Sequence, residues 1–160
     1  MKEFTFNQIG IIETPFERKT DMPIQAAFSN ERGIVHIFES YEPGLTSIEK
    51  FSHIILLYVF HKSQKFKLLA KPFLDNKSHG IFAIRGPNRP NHIGLSIVSL
   101  IKREKNRLFV RGVDMLDGTP LLDIKPYVPA FDSIPQASSG WLTGKINTGS
   151  TTVSDDRFLK

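Results

Sequence analysis

The chain has 160 residues and a formal net charge of +5, the length of one domain with room for one sizeable core. Apolar residues make up 40% and charged residues 23%, a globular rather than disordered composition. Cysteine is absent, which excludes disulfides, thiolate zinc sites, iron–sulfur clusters and cysteine nucleophiles together.

In chain order, short strands dominate. The N-terminus lacks the basic stretch and unbroken apolar run of a signal peptide. Phe4 to Ile12 reads as a strand, through alternation and then an Ile-rich end. Glu13 to Arg32 holds Pro15, Pro23 and many charges, and reads as a loop. Gly33 to Phe38 is a short β-branched strand. Pro43 and Gly44 break the chain, and Thr46 to Lys50 suits a helical turn or two. His53 to Phe60 is continuously apolar, the pattern of a buried strand. Its apolar run, Ile54 to Phe60, is too short to span a bilayer. Phe66 to Leu69 and Gly80 to Ile84 are further strand candidates. Ile93 to Lys102 and Arg107 to Val113 flank the charged tip Arg103 to Asn106 as a hairpin. Leu121 to Ile124 reads as a last core strand, after which Pro126, Pro129 and Pro135 limit regular structure. From Ser138 the chain is rich in Ser, Thr and Gly, with little apolar content beyond Trp141, Leu142 and Ile146. That tail is expected to pack loosely or against a partner.

Many short strands without alternating long helices predict a mainly β protein, a single barrel of largely antiparallel strands with a few short helices. The expected division is a barrel over residues 1–137 and an irregular extension over 138–160. Most of the thirteen phenylalanines are expected in the core. With no membrane segment in view, the expected setting is soluble and cytoplasmic.

The charge is unevenly spread. Residues 1–60 carry five basic and eight acidic side chains, net −3; residues 61–111 carry twelve and two, net +10; residues 112–160 carry four and six, net −2. The basic third reads either as a solvated surface or as a patch that tracks phosphates of a nucleic acid. Several chemistries lack their motifs. Gly140 to Lys145 has three residues between its glycines where a P-loop has four, and Ile146 follows where Ser or Thr should hold magnesium. There is no GxGxxG and no GxSxG. The histidines at 36, 53, 61, 79 and 92 have no i, i+4 pairing, so no metal site is expected.

Two segments stand out. Arg85-Gly-Pro-Asn-Arg-Pro-Asn-His-Ile-Gly-Leu-Ser96 places two arginines, two asparagines and two prolines between apolar strands. Proline stiffens such a loop while Asn and Arg supply donors, which suits a ligand loop or a rigid surface connection. Asp114 to Tyr127, DMLDGTPLLDIKPY, contains the turn signal Asp117-Gly118. It reads as a plain hairpin turn or as a turn whose backbone reads a ligand edge.

Together the two segments resemble the TrmO family of S-adenosylmethionine-dependent tRNA methyltransferases, also described as the TsaA-like domain. The family's first signature runs approximately ATRSPxRPNPIGLS, against AIRGPNRPNHIGLS at Ala83–Ser96. The second runs approximately DxLDGTPxLDIKPYxP, matched from Asp114 through Pro129. Phe51-Ser-His-Ile with Tyr58-Val-Phe-His61, Gly10 to Phe16, and Met22-Pro-Ile-Gln25 resemble further family segments in the same order, so the resemblance covers about residues 5–135.

The resemblance implies a single β-barrel, a homodimer with S-adenosyl-L-methionine bound near the subunit interface, and tRNA as partner. Its cofactor contacts fall on Pro23, Ile24, Gln25, His61, Lys62, Arg85, Leu95, Leu116, Asp117, Gly118 and Thr119. Lys62 stands where bacterial members usually carry Gln, which points to a backbone contact there. The implied reaction is methylation at N6 of N6-threonylcarbamoyladenosine, just 3′ of the anticodon. Asp114, Asp123 and Tyr127 are candidate bases, each with an alternative role as a hairpin hydrogen-bonder. Arg89, Asn91, His92, Lys102, Arg103, Lys105 and Arg107 are candidate RNA contacts. Three signature positions depart from the family: Ile84 for Thr, Gly86 for Ser and His92 for Pro. These leave open a different RNA or small-molecule acceptor, or a binding protein without turnover.

Overall fold

The computed structural model describes residues 2–20 and 22–158. The alternation of inward and outward side chains organises it. Strands β1 (Gly10–Glu13), β2 (Arg32–Ile37) and β3 (His53–Val59) come first. A two-stranded ribbon follows, β4 (Leu69–Ala70) with β5 (His79–Gly80). Then come β6 (Ile93–Glu104), β7 (Arg107–Arg111) and β8 (Thr119–Pro126). Six strands close an antiparallel barrel in the order β1-β2-β7-β6-β3-β8. Because β1 pairs with both β2 and β8, the barrel has no free edge. Helical structure among the described residues is one short α-helix, α1 (Pro129–Asp132), and a set of 3-10 turns. None of these helices is long and apolar enough to cross a membrane.

The barrel interior is aliphatic. Ile12, Val35, Ile37, Ile54, Leu56, Val98, Leu108, Val110 and Leu121 are buried there, with Tyr58 as its aromatic member. This corrects the expectation for phenylalanine: of thirteen, Phe158 alone is buried, and seven are exposed, from Phe4 and Phe6 to Phe131. Eight strands give an interior just wide enough for side chains to fill. Six leave less, and branched aliphatics fill it better than rings. The first strand is also shorter than the Phe4 to Ile12 alternation predicts. It begins at Gly10, with Ile9 still bonded to Leu121 O and to the Phe38 amide, and residues 4–8 lie outside the ladder. The strand over Gly80 to Ile84 likewise ends at Gly80 and becomes a 3-10 turn at Ile81–Ala83.

The apolar run of β3 is buried on one face only. Ile54, Leu56 and Tyr58 point inward, while Ile55, Leu57 and Val59 are half-buried on the outside. Across the β3–β6 ladder they meet Ile97, Leu95 and Ile93, which are exposed. The barrel therefore carries an apolar outer stripe. The tail corrects a further expectation. It packs on its own barrel side, where Phe158 joins Ile81 and Ile84 in a second buried cluster flanked by Phe73 and Trp141.

The close approach of β3 to β6 depends on Gly94. A Cβ there would lie 2.3 Å from the Tyr58 ring, which is itself buried. Gly94→Ala is therefore expected to destabilise the fold by roughly 1–3 kcal/mol, the usual cost of overpacking, measured by urea denaturation against the wild type.

Candidate functional site

At the end of the barrel where β3 stops and β6 starts, several loops converge on a cleft of about 380 Å³, within the size range of small-molecule sites. Pro23, Ile24 and Gln25 enter from the first long loop, His61 and Lys62 from the chain after β3, Arg85 and Leu95 from the loop before β6 and its start, and Leu116 and Thr119 from the turn before β8. Of the residues expected to contact a cofactor, these nine line the cleft. Asp117 and Gly118 stand just behind it. Asp117 Oδ1 accepts from Thr14 N at 3.0 Å and Asp117 N donates to Phe16 O at 2.8 Å, so this side chain pins the first loop. Gly118 takes a positive φ of 70°.

The polar loop before β6 is internally braced. Arg89 Nη1 donates to the carbonyls of Ile81 and Ile84 at 3.0 and 2.8 Å. His92 adopts a φ of +49°, and its Nδ1 lies 3.2 Å from Pro87 O. Arg89 lines the cleft, while Asn91 is exposed beside it. The remaining candidate RNA contacts are elsewhere. Lys102, Arg103, Lys105 and Arg107 occupy the β6–β7 tip, seven or more positions along β6 from Leu95, about 23 Å at the rise of a strand. Arg103 there donates to Leu45 O at 2.9 Å and to Lys105 O at 2.8 Å, while Glu104 takes ion pairs from Lys102 and Arg107. The candidate RNA contacts are thus divided between two ends of the barrel.

One candidate base lies in the cleft. Asp114 Oδ1 accepts from Ser96 Oγ at 2.5 Å, and Ser96 Oγ is 3.0 Å from the Tyr58 hydroxyl. Burial pushes the Asp114 carboxyl up to about 6, against the lowering effect of the Ser96 hydrogen bond and the Arg85 charge. Burial, and then the charge on Asp114, also push the Tyr58 phenol up, so it is a neutral hydroxyl. Burial likewise lowers His61, helped by the neighbouring Lys62 charge. Asp123 projects from the outer face, in register with Leu57, with Lys125 Nζ 2.8 Å away. Tyr127 lies at the other end of β3, its amide donating to His53 O at 3.1 Å. Neither lines the cleft.

The lining also includes residues that the sequence pattern did not single out: Lys19, Tyr58, and Ser154, Asp155 and Phe158 from the tail. Tyr58 carried a signal, as the polar-tipped ring among aliphatic inward positions of its strand. The tail residues carried none, since their place depends on the chain folding back. Among the described residues no three His, Cys, Asp or Glu side chains gather as a metal site.

A closed six-stranded barrel with a loop-built cleft at one end, floored by a carboxylate and rimmed by cations, defines a β-barrel that binds a small charged ligand. Residues 11–133 match the family model of the tRNA-methyltransferase O N-terminal domain, and the chain belongs to the TrmO family. It is 47% identical over 155 residues to a "Probable S-adenosyl-L-methionine-binding protein" of Pyrococcus abyssi, covering 96% of this chain and 84% of that one. It is 41% identical over 133 residues to a "tRNA (adenine(37)-N6)-methyltransferase" of Mus musculus, covering 78% of this chain and 31% of that one. Its fold matches the crystal structure of TrmO from Pseudomonas aeruginosa with a TM-score of 0.74 at 35% identity, over 88% of this chain and 63% of that one. The chain thus spans under two thirds of the solved enzyme.

The Asp114 shift has a signed consequence. Its folded value, about 6, lies above the ordinary carboxylate range, so between the two the folded protein holds a proton that the unfolded chain has released. The stability from this group is complete at acid pH and is lost as pH rises through about 6. Asp114→Asn should remove that loss, so urea titrations from about pH 4 to pH 7 should show the variant gaining stability relative to the wild type.

Proposed function

We propose that the chain binds S-adenosyl-L-methionine in this cleft and methylates tRNA at N6 of N6-threonylcarbamoyladenosine, immediately 3′ of the anticodon. The observation that carries the reading is the convergence of both signature segments on one cleft that contains the ionisable carboxylate of Asp114. The donor set suits a zwitterionic sulfonium nucleoside. Leu95 and Leu116 offer apolar faces to a purine, the backbone of the Asp117–Thr119 turn offers groups to its edge, and Arg85 offers a cation to a carboxylate. Pro23, Ile24, Gln25, His61 and Lys62 complete the contacts. When bound, that group supplies an electrophilic methyl.

The residues of the chain do the rest. The acceptor nitrogen is a poor nucleophile, its lone pair delocalised into purine and carbamoyl, so alignment supplies much of the rate. Asp114 takes the proton that this nitrogen sheds, and Ser96, backed by Tyr58, holds the carboxylate in place. Arg89, Asn91 and His92 meet the nucleotide beside the cleft. Lys102, Lys105 and Arg107 meet phosphates further along a cytoplasmic tRNA, with Arg103 bracing the hairpin that presents them.

The subunit is a homodimer in this reading. Support comes from the apolar outer stripe of β3 and β6, which runs to Leu95 and Ile93 on the cleft itself, so a partner seated there would border the donor site. A second reading, donor binding with another acceptor or with none, is favoured by the Pyrococcus relative, named only for binding S-adenosyl-L-methionine, and by the departures at Ile84, Gly86 and His92.

Nucleosides from tRNA incubated with protein and donor, resolved by mass spectrometry, separate the readings. A methyl gain on threonylcarbamoyladenosine is expected, and is expected to vanish in Arg85→Ala. Gain elsewhere, or donor binding with no gain, supports the second reading. In sedimentation, Ile97→Asp should run at half the mass of the wild type, and an unchanged monomeric mass in both would remove the dimer.

A further inference from the structure

The tail lies outside the residues 11–133 that match the family model, yet Ser154, Asp155 and Phe158 line the cleft. It is fastened at several points. The Met22 amide donates to Ser154 Oγ at 2.9 Å, the Ser154 amide donates to Met22 O at 2.8 Å, and Pro23 bridges to Val153. These contacts tie the tail to the loop that brings Pro23, Ile24 and Gln25 into the site. Trp141 Nε1 donates to Ala83 O at 2.7 Å, and its ring stacks on His79 at 4.5 Å. Lys145 pairs with Asp75, and Arg157 donates to Pro72 O.

Phe158 has a fitted seat. Its ring meets Phe73 edge-on at 5.2 Å and is buried with Ile81 and Ile84. Asn88 Nδ2 lies 3.5 Å from its carbonyl oxygen. A Cβ on Gly86 would stand 3.0 and 3.1 Å from two atoms of that ring, closer than a wedged ring can accept without moving. Two of the three departures from the signature, Ile84 and Gly86, are therefore the two that receive Phe158. The first presents an aliphatic side chain in place of a hydroxyl-bearing one, and the second removes the side chain that would occupy the seat.

We propose that the C-terminal segment, residues 140–158, is a wall of the donor site, seated by Phe158 on Ile84 and Gly86, so that docking of the tail and binding of S-adenosyl-L-methionine are coupled. The inference rests on the reading of the cleft as the donor site. In physical terms, a ligand that binds only the tail-docked form stabilises docking, and any substitution that unseats the tail weakens the ligand by the fraction of docked protein lost. Phe158 is a positioning residue for the donor: it closes the apolar side of the cleft while Arg85 and Asp114 provide its charges.

A double-mutant cycle in the full chain tests this, using Gly86→Ser, Phe158→Ala and the pair. Calorimetry with S-adenosyl-L-methionine should show each single variant weakened about tenfold or more. The pair should be no weaker than Phe158→Ala, because the added side chain has nothing left to displace. Without ligand, emission of Trp141, the single tryptophan, should shift to the red in each variant, and trypsin should cut faster after Lys145. The barrel's melting transition, followed in parallel, separates an unseated tail from an unfolded protein. Wild-type affinity in Phe158→Ala, or additive losses in the pair, would overturn the coupling. Unchanged emission and proteolysis in Gly86→Ser would overturn the seat. The ligand-free arms are independent of the donor reading: a wild type that binds no S-adenosyl-L-methionine sinks that reading and the coupling with it, while the seat is judged on emission and cleavage.

Discussion

The register between β3 and β6 is the constraint on which the site depends. Seven antiparallel pairs run from His53–Ser99 to Val59–Ile93. That alignment sets Tyr58 against Gly94, where only a missing side chain admits the ring. It turns Ser96 inward, within reach of both Tyr58 and Asp114, and it turns Leu95 outward at the cleft edge. Because side chains alternate with a period of two, a slip of one residue would reverse every one of these directions. The buried aliphatic set of the barrel, Ile54 and Leu56 on β3 and Val98 on β6, holds the register against that slip.

The floor of the cleft shows what the register achieves. A carboxylate, a serine and a tyrosine form one hydrogen-bonded line in a largely desolvated place. Desolvation raises Asp114; the Ser96 hydrogen bond, backbone hydrogen bonds at Ala26 and Asp114 and, least, the Arg85 charge limit the rise to about 6. The result is a group ionised at neutral pH yet more basic than an exposed carboxylate, the condition for proton transfer under mild conditions. The neutral phenol behind it cannot compete for the negative charge and serves as a fixed partner for the serine.

The two ends of the barrel have different electrostatic characters. Near the cleft, cations converge on a pocket: Lys19 donates to Lys62 O at 2.6 Å, and Arg85 reaches Gln25 Oε1 at 3.2 Å. At the far tip, Lys102 and Arg107 lie over the Phe109 ring and share Glu104. Neighbours in one basic run of the sequence thus end in two separate features, a group at the cleft and a distant rim.

Much of this was legible in the residues alone. Alternation, punctuation by Gly and Pro, and the absence of long helical periods determined a small antiparallel barrel, since each strand needs only its own pattern to state which face is buried. The two signature segments identified the loops that build the cleft, because stiff polar loops declare themselves by composition. What the tertiary structure decided is where distant segments meet. No local pattern shows that most of the phenylalanines stay outside the buried interior, that Asp114 and not Asp123 or Tyr127 enters the cleft, or that a Ser- and Thr-rich tail returns across it. Those outcomes depend on volume, desolvation and chain reversal, which exist only once the barrel has closed.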